Sequence, residues 1–380
     1  SLAGATLAIS GLGSSAINNV DSGSLTLNAG TTSLSAVNGG TLSIATGATA
    51  TATSFASATA TNNGSLTLSG ALTSGVLSNA GTLSIATLTA GTLSNSGSLT
   101  VTSGGVFTGT LTGAGSLSLS SASTAMTLSS AGSLSSYSGT LNVGAGSLVV
   151  NGLLAGANSL TITSGTALFT VAGGSFNSVN NAGTLTYSAS SGTTSVTSLS
   201  GNGVTVVSSS LVLGTVFNTG TLSISGTASL SGVSGGSVGI TGAGLSSIGG
   251  LSNGTLRLSG ASGNVTIGAI SGGTLYVDAG TANATDFAFA TATNAGSLTL
   301  SGSLNSGYVT NTGTLNIGTL TAGSLYANGG TVNVNGGSFA GYLSGSGAVT
   351  TTGTVTLGGT LSNYNGALTV NSGSLTVDTL

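Results

Sequence analysis

Small polar and aliphatic residues alternate along this chain in a short word, Gly-[Ser/Thr]-Leu-x-[Leu/Ile/Val]. Early copies are Gly23-Ser-Leu-Thr-Leu27, Gly40-Thr-Leu-Ser-Ile44, Gly64-Ser-Leu-Thr-Leu68, Gly81-Thr-Leu-Ser-Ile85 and Gly97-Ser-Leu-Thr-Val101; later ones open at Gly220, Gly254, Gly273, Gly296, Gly313, Gly330, Gly353, Gly366 and Gly373. Alternation with period two marks a half-buried strand, so the two aliphatic positions point inward and the residue between them faces solvent. Glycine opens the word because a corner needs backbone freedom that a Cβ restricts. Helices are not expected: the 68 glycines and abundant Ser, Thr and Asn are poor in helix interiors, and no segment has apolar residues at a spacing of 3.6.

The words recur at fixed distances. Residues 58–93 return 232 positions later as residues 290–325, with 26 of 36 positions identical and no insertion. Fixed spacing is the signature of a stacked architecture. Successive words lie mostly 17 to 18 residues apart, with 24-residue steps from Gly40 to Gly64 and from Gly272 to Gly296. Each step reads as one coil, the longer ones as coils enlarged by a loop. The expected fold is therefore all-β: a single elongated parallel β-solenoid of about 20 coils, each of two or three short strands and roughly 17–24 residues, with parallel-crossover chirality favouring the right-handed form. With no break in composition, residues 1–380 read as one continuous domain carrying a long internal duplication.

Stacking is what makes such coils stable. One coil alone cannot bury its Leu, Ile, Val and Ala, whereas a column of them forms a continuous core, at roughly 1.5–3 kcal/mol per large aliphatic side chain. Asparagine recurs at expected turns, at Asn62, Asn79 and Asn95 in one copy and Asn294, Asn311 and Asn328 in the other. Two readings fit: a ladder of amides bonding from coil to coil, or asparagine tolerating a left-handed corner.

Charge changes the functional picture most. The formally charged side chains are Asp21, Asp278, Asp286, Asp378 and Arg257, and there is no Lys, Glu, His, Cys, Pro or Trp. General acid–base groups, thiolate nucleophiles and imidazole metal ligands are thus almost removed, and no cofactor is expected. Nucleic acid is not an expected partner, because phosphate neutralisation needs several Lys or Arg. Mean hydropathy is +0.52, yet polar residues interrupt every apolar run before about 18 residues, so membrane insertion is not expected either. Residues 146–173, the strongest candidate span, contain Asn151, Asn158, Thr161, Thr163 and Ser164. The start at Ser1, without an initiator Met or a basic leader, suggests a processed chain or an internal fragment. The four Asp are scattered, so Asp278 and Asp286 are read as surface residues rather than a catalytic pair, and Arg257 as solvated.

Aromatic and hydroxyl residues leave finer expectations. Phe287 and Phe289 alternate about Ala288, which suggests that one or both fill the core, with Phe55 as the equivalent in the first copy. Tyr276, Tyr308, Tyr326, Tyr342 and Tyr364 gather in the C-terminal third; core or strand packing is the default, a sugar-stacking or lateral contact surface the sharper alternative. Thr-x-Thr pairs such as Thr51/Thr53 and Thr59/Thr61 raise ice binding as a third function, although the outward slot drifts in identity from word to word.

Gly91-Thr-Leu-Ser-Asn-Ser-Gly-Ser-Leu-Thr-Val101 and Asn311-Thr-Gly-Thr-Leu-Asn-Ile317 resemble the degenerate β-helix repeats of bacterial autotransporter passengers and filamentous-haemagglutinin-like adhesins. The resemblance implies an exported bacterial β-solenoid at the cell surface. The expected location is extracellular or cell-surface, in a bacterium or archaeon, and a cell surface or polysaccharide is an expected contact. Words run nearly to both termini without a capping element, which would expose Leu7 and Ile9 at one solenoid end and Leu375 and Val377 at the other. The expected function is a structural, non-catalytic filament or sheath subunit that stacks head-to-tail on copies of itself, an open heterologous contact. The alternative is an adhesin stalk presenting a binding tip.

Overall fold

The computed structural model describes residues 1–120, 125–129, 136–164, 167–187, 193–208, 210–217, 219–242, 244–260 and 263–378. All regular structure among them is β-strand, and the paired strands are parallel coils stacked as a β-solenoid of about 20 turns. Residues Ser1–Ser195 and Val196–Leu380 form two compact units, described in turn.

In the first unit each coil presents three short faces. The first is a column of four-residue strands, Thr6–Ile9, Ser24–Leu27, Thr41–Ile44, Thr59–Asn62, Val76–Asn79, Thr92–Asn95 and Thr110–Gly113, each in parallel register with the next. The longer strands Ser14–Val20, Thr31–Val37, Thr49–Phe55, Ser65–Leu72 and Thr82–Leu88 supply the other two. In the later pairings the register shifts midway, between Ala52 and Phe55 and between Ile85 and Thr87. The two inward positions of a word become adjacent columns: Leu25, Leu42, Ala60, Leu77, Leu93 and Leu111 on the first face are all at most 1% exposed. Val20, Val37, Phe55, Leu72 and Leu88 stack along the third face.

The second unit repeats this plan. Its first face runs through Thr274–Val277, Thr291–Asn294, Tyr308–Asn311, Ser324–Ala327, Tyr342–Gly345 and Thr360–Tyr364. Its second and third faces come from Asn264–Ile270, Thr281–Ala284, Ser297–Leu304, Thr314–Leu320 and Thr331–Phe339, with Phe287 bridging Ile270 and Leu304. Leu7 and Ile9 lie on the first face of the first unit. Leu375 and Val377 pair with Val355 and Leu357 on the third face of the second, below Gly337 and Phe339.

The 24-residue steps are not enlarged coils. Gly40 opens a first-face strand and Gly64 a second-face strand, while the coils themselves keep their period: Thr41 stacks on Thr59 and Thr59 on Val76, 18 and 17 residues on. Likewise Thr274 pairs with Thr291, whereas Ser297, after Gly296, pairs with Thr281 on another face. The same word serves two faces, so spacing between words confuses a change of face with a change of coil. A true 24-residue coil lies elsewhere, where Ser116 stacks on Thr140.

Glycine opens the words for two reasons. Gly40 sits at φ +71°, a conformation that side chains disfavour. Gly81 does not; there a Cβ would collide with the Gly64 carbonyl oxygen of the coil beneath. Close stacking, as much as corner geometry, demands it. Every rung also uses its backbone, as in Thr41 N–H to Gly23 O at 2.8 Å and Val76 N–H to Ala58 O at 2.9 Å, which fits a chain without proline.

Candidate functional site

Two features stand out from the aliphatic stack, and both lie on the first face. Inside it, Asn62, Asn79 and Asn95 occupy the fourth strand position on successive coils and are fully buried. The Asn62 amide donates to Asn79 Oδ1 at 2.7 Å and the Asn79 amide to Asn95 Oδ1 at 2.7 Å. Each amide also donates to a backbone carbonyl: Asn62 to Thr82, Asn79 to Ser98 and Asn95 to Ser116, at 2.8 to 3.1 Å. The second copy repeats the column, with Asn294 to Asn311 Oδ1 at 2.7 Å and onward donation to the Thr314 and Thr331 carbonyls.

These asparagines close strands rather than turn corners, since positive φ outside glycine occurs among the described residues only at Ser57 and Phe289. Asn328 is not in the column. Ala327 pairs with Asn311 and takes the inward place, leaving Asn328 exposed one residue further on. Each column has an unsatisfied end. Asn62 Oδ1 and Asn294 Oδ1 have no partner, because the preceding coil offers Ile44 and Val277 there.

A tyrosine follows each column. Gly113 pairs with Tyr137 and Gly345 with Tyr364, and each ring lies against a following glycine, Gly139 or Gly366, where a Cβ would collide with it. Tyr137 donates to Gly115 O at 2.7 Å and Tyr364 to Gly347 O at 2.8 Å. Burial, partly offset by a hydrogen bond with the Asn95 side chain, pushes the Tyr137 hydroxyl up to about 12. Burial also raises Tyr187 and Tyr364, the latter against a lowering backbone hydrogen bond at Val349.

Outside the same face, the second unit carries tyrosines on neighbouring coils. Tyr276, Thr293, Thr310 and Tyr326 form one outward column, which ends at the buried Ser344; Thr291, Tyr308, Ser324 and Tyr342 form the adjacent one. The Tyr326 and Tyr342 rings lie 5.9 Å apart, and the Asn363 amide donates to the Tyr342 hydroxyl at 2.7 Å. Arg257 precedes Tyr276 in register, with its guanidinium 5.6 Å from the ring centroid, and bonds Asp278 at 2.5 Å. Tyr276, Tyr308, Tyr326 and Tyr342 thus stand on the outer side of their strands rather than in the core; Tyr308 is 56% exposed and the other three are half-buried.

The remaining candidates disperse. Phe55 and Phe287 are fully buried equivalents on the third face, whereas Phe289 is 82% exposed at φ +52°. Ser57, its equivalent in the first copy, has the same φ, and both backbone N–H groups donate to a serine hydroxyl, Ser74 and Ser306. Asp286 accepts from the Ser303 backbone N–H and hydroxyl, both at 2.8 Å, which holds its carboxyl below the usual range. The Thr-x-Thr pairs do not align: Thr51 stacks on Ser33 and Thr67, Thr61 on Ser43 and Ser78. A groove of about 260 Å³ runs between Thr299, Ser301, Asn316, Asn333, Asn335 and Thr352. Among the described residues no group of three or more His, Cys, Asp or Glu is placed to hold a metal. Leu7 and Ile9, at 38% exposed and half-buried, edge the first face; Leu375 and Val377 are half-buried on the third.

Compared with protein-family models, with curated proteins and with solved structures, the chain matches none.

Proposed function

We propose that this chain is a structural, non-catalytic element of an extracellular or cell-surface filament or sheath. The observation that carries this reading is the uniformity of the rung. Each coil offers its successor the same row of backbone donors and acceptors and the same inward columns, so added coils extend the stack by the bonds already used within it. The added coil belongs either to more of the same polypeptide or to a second copy. Head-to-tail addition of copies is a heterologous contact that does not close, and it yields fibres.

Like face must stack on like. The strand that complements Thr6–Ile9 of another copy is then Thr360–Tyr364, and Leu368–Val370 complements Ser14–Val20; Leu375 and Val377 belong to a different face from Leu7 and Ile9. Electron microscopy of the purified chain over a range of concentrations tests this. Fibres that lengthen with concentration are the expected result, and a disulfide engineered between Leu7→Cys and Leu361→Cys should lock them covalently. Short particles of one length at every concentration would overturn head-to-tail assembly.

A second reading, an adhesin stalk of the kind that autotransporter-passenger-like repeats suggest, is favoured by one observation: the outward tyrosines of the second unit.

A further inference from the structure

The internal duplication supplies its own control, because the two copies can be compared position by position. Inward positions are kept: Leu66, Leu68, Leu72, Asn79, Leu83, Ile85 and Leu88 recur as Leu298, Leu300, Leu304, Asn311, Leu315, Ile317 and Leu320. Outward positions on the first face are not. Where the second unit has Tyr276, Tyr308, Tyr326 and Tyr342, the register-equivalent residues of the first are Ser43, Val76, Ser94 and Thr110. The core therefore does not require these four rings. Tyr308, Tyr326 and Tyr342 lie on successive coils about 4.8 Å apart along the stack, and Tyr276 lies two coils before Tyr308.

We infer that this tyrosine face binds a neutral, hydroxyl-rich polysaccharide laid along the stacking direction. Tyrosine presents a flat apolar ring with a polar tip, which suits a sugar that has a C–H face and an equatorial rim of hydroxyls. Between the rings stand short neutral groups, Thr293, Thr310 and Asn363, able to exchange hydrogen bonds with hydroxyls. The formal charges nearest to these rings, Arg257 and Asp278, are bonded to each other, so the face has no net charge with which to select an ionic ligand. A protein partner is disfavoured by the lack of aliphatic anchors among these outward residues. A polymer laid across successive coils can meet several rings at once, each adding a further weak contact. This inference is independent of filament assembly.

The test uses the full chain, with microcrystalline cellulose and chitin as probes and a no-polysaccharide control that removes self-associated material. Wild type is expected to sediment with at least one probe. Tyr308→Val/Tyr326→Ser, which installs the residues of the first copy, should weaken retention about tenfold or more while leaving the circular dichroism spectrum and melting temperature unchanged. Phe289→Ser, on another part of the second unit, should bind as wild type does. Absence of wild-type retention on both probes overturns the inference, as does equal retention of the double variant or tighter binding to an anionic polysaccharide such as alginate. Fibres without retention would sink this inference alone; retention without fibres would sink assembly alone.

Discussion

A buried asparagine is costly unless each of its amide groups finds a partner, and here the partner is the same residue one coil away. Asn79, in the middle of its column, accepts from Asn62 and donates to Asn95 and to the Gly81 and Ser98 carbonyls. Asn95 ends the column, and the second copy already has Ala327 at the corresponding place. Asn79→Ala should accordingly cost about 2–4 kcal/mol and Asn95→Ala about 1–2 kcal/mol, since the first strands buried amide groups on both sides. Denaturant unfolding of the two variants measures the difference; equal costs would mean that the amides act singly rather than as a column. Part of this was legible: the recurrence of Asn62, Asn79, Asn294 and Asn311 offered a column of amides as one of two readings, and the hydrogen bonds decide for it. Asn328 misled because Ala327 and Asn328 are neighbours, and only the register of Ser324–Ala327 decides which of them turns inward.

Within an element, the alternation that builds a strand also protects it. Arg257 is the one residue after which trypsin cuts, yet it sits inside Ser246–Leu258, paired with Gly239 on one side and Tyr276 on the other. Cleavage needs an extended segment drawn into the protease, and a strand bonded on both edges must first be pulled from the stack. The folded chain should survive trypsin for hours, whereas the urea-unfolded chain should give two fragments divided after residue 257, as read by mass spectrometry. Rapid cutting of the folded protein would show that this strand opens locally. Alternation revealed the words at this scale but not their faces. Gly40-Thr-Leu-Ser-Ile44 and Gly81-Thr-Leu-Ser-Ile85 are identical five-residue words, and one lies on the first face and the other on the second.

Across the molecule, stability rests on burial and backbone pairing rather than on charge, so its dependence on alkaline pH falls to the tyrosines. Tyr137 is raised from about 10 to about 12, and Tyr187 and Tyr364 are raised as well. A raised tyrosine keeps its proton in the folded state after the unfolded chain has lost it. Its contribution is complete below pH 10 and drains away as pH climbs toward 12. Circular dichroism and phenolate absorbance followed together should show loss of β-structure coinciding with the last tyrosines to ionise, and Tyr137→Phe should move that transition to higher pH. Complete ionisation near pH 10 with the fold intact would contradict the burial of these hydroxyls.

The sequence by itself determined the all-β class, the inward and outward sense of each word, the duplication and the near-absence of charge, because period-two alternation and repeat length are local properties of the chain. Tertiary structure decided which face each word occupies, which asparagine enters a column, and that four tyrosines share one outer face. Those outcomes depend on register between residues 16 to 24 apart, set by hydrogen bonds to the coil below and by the space its glycines leave.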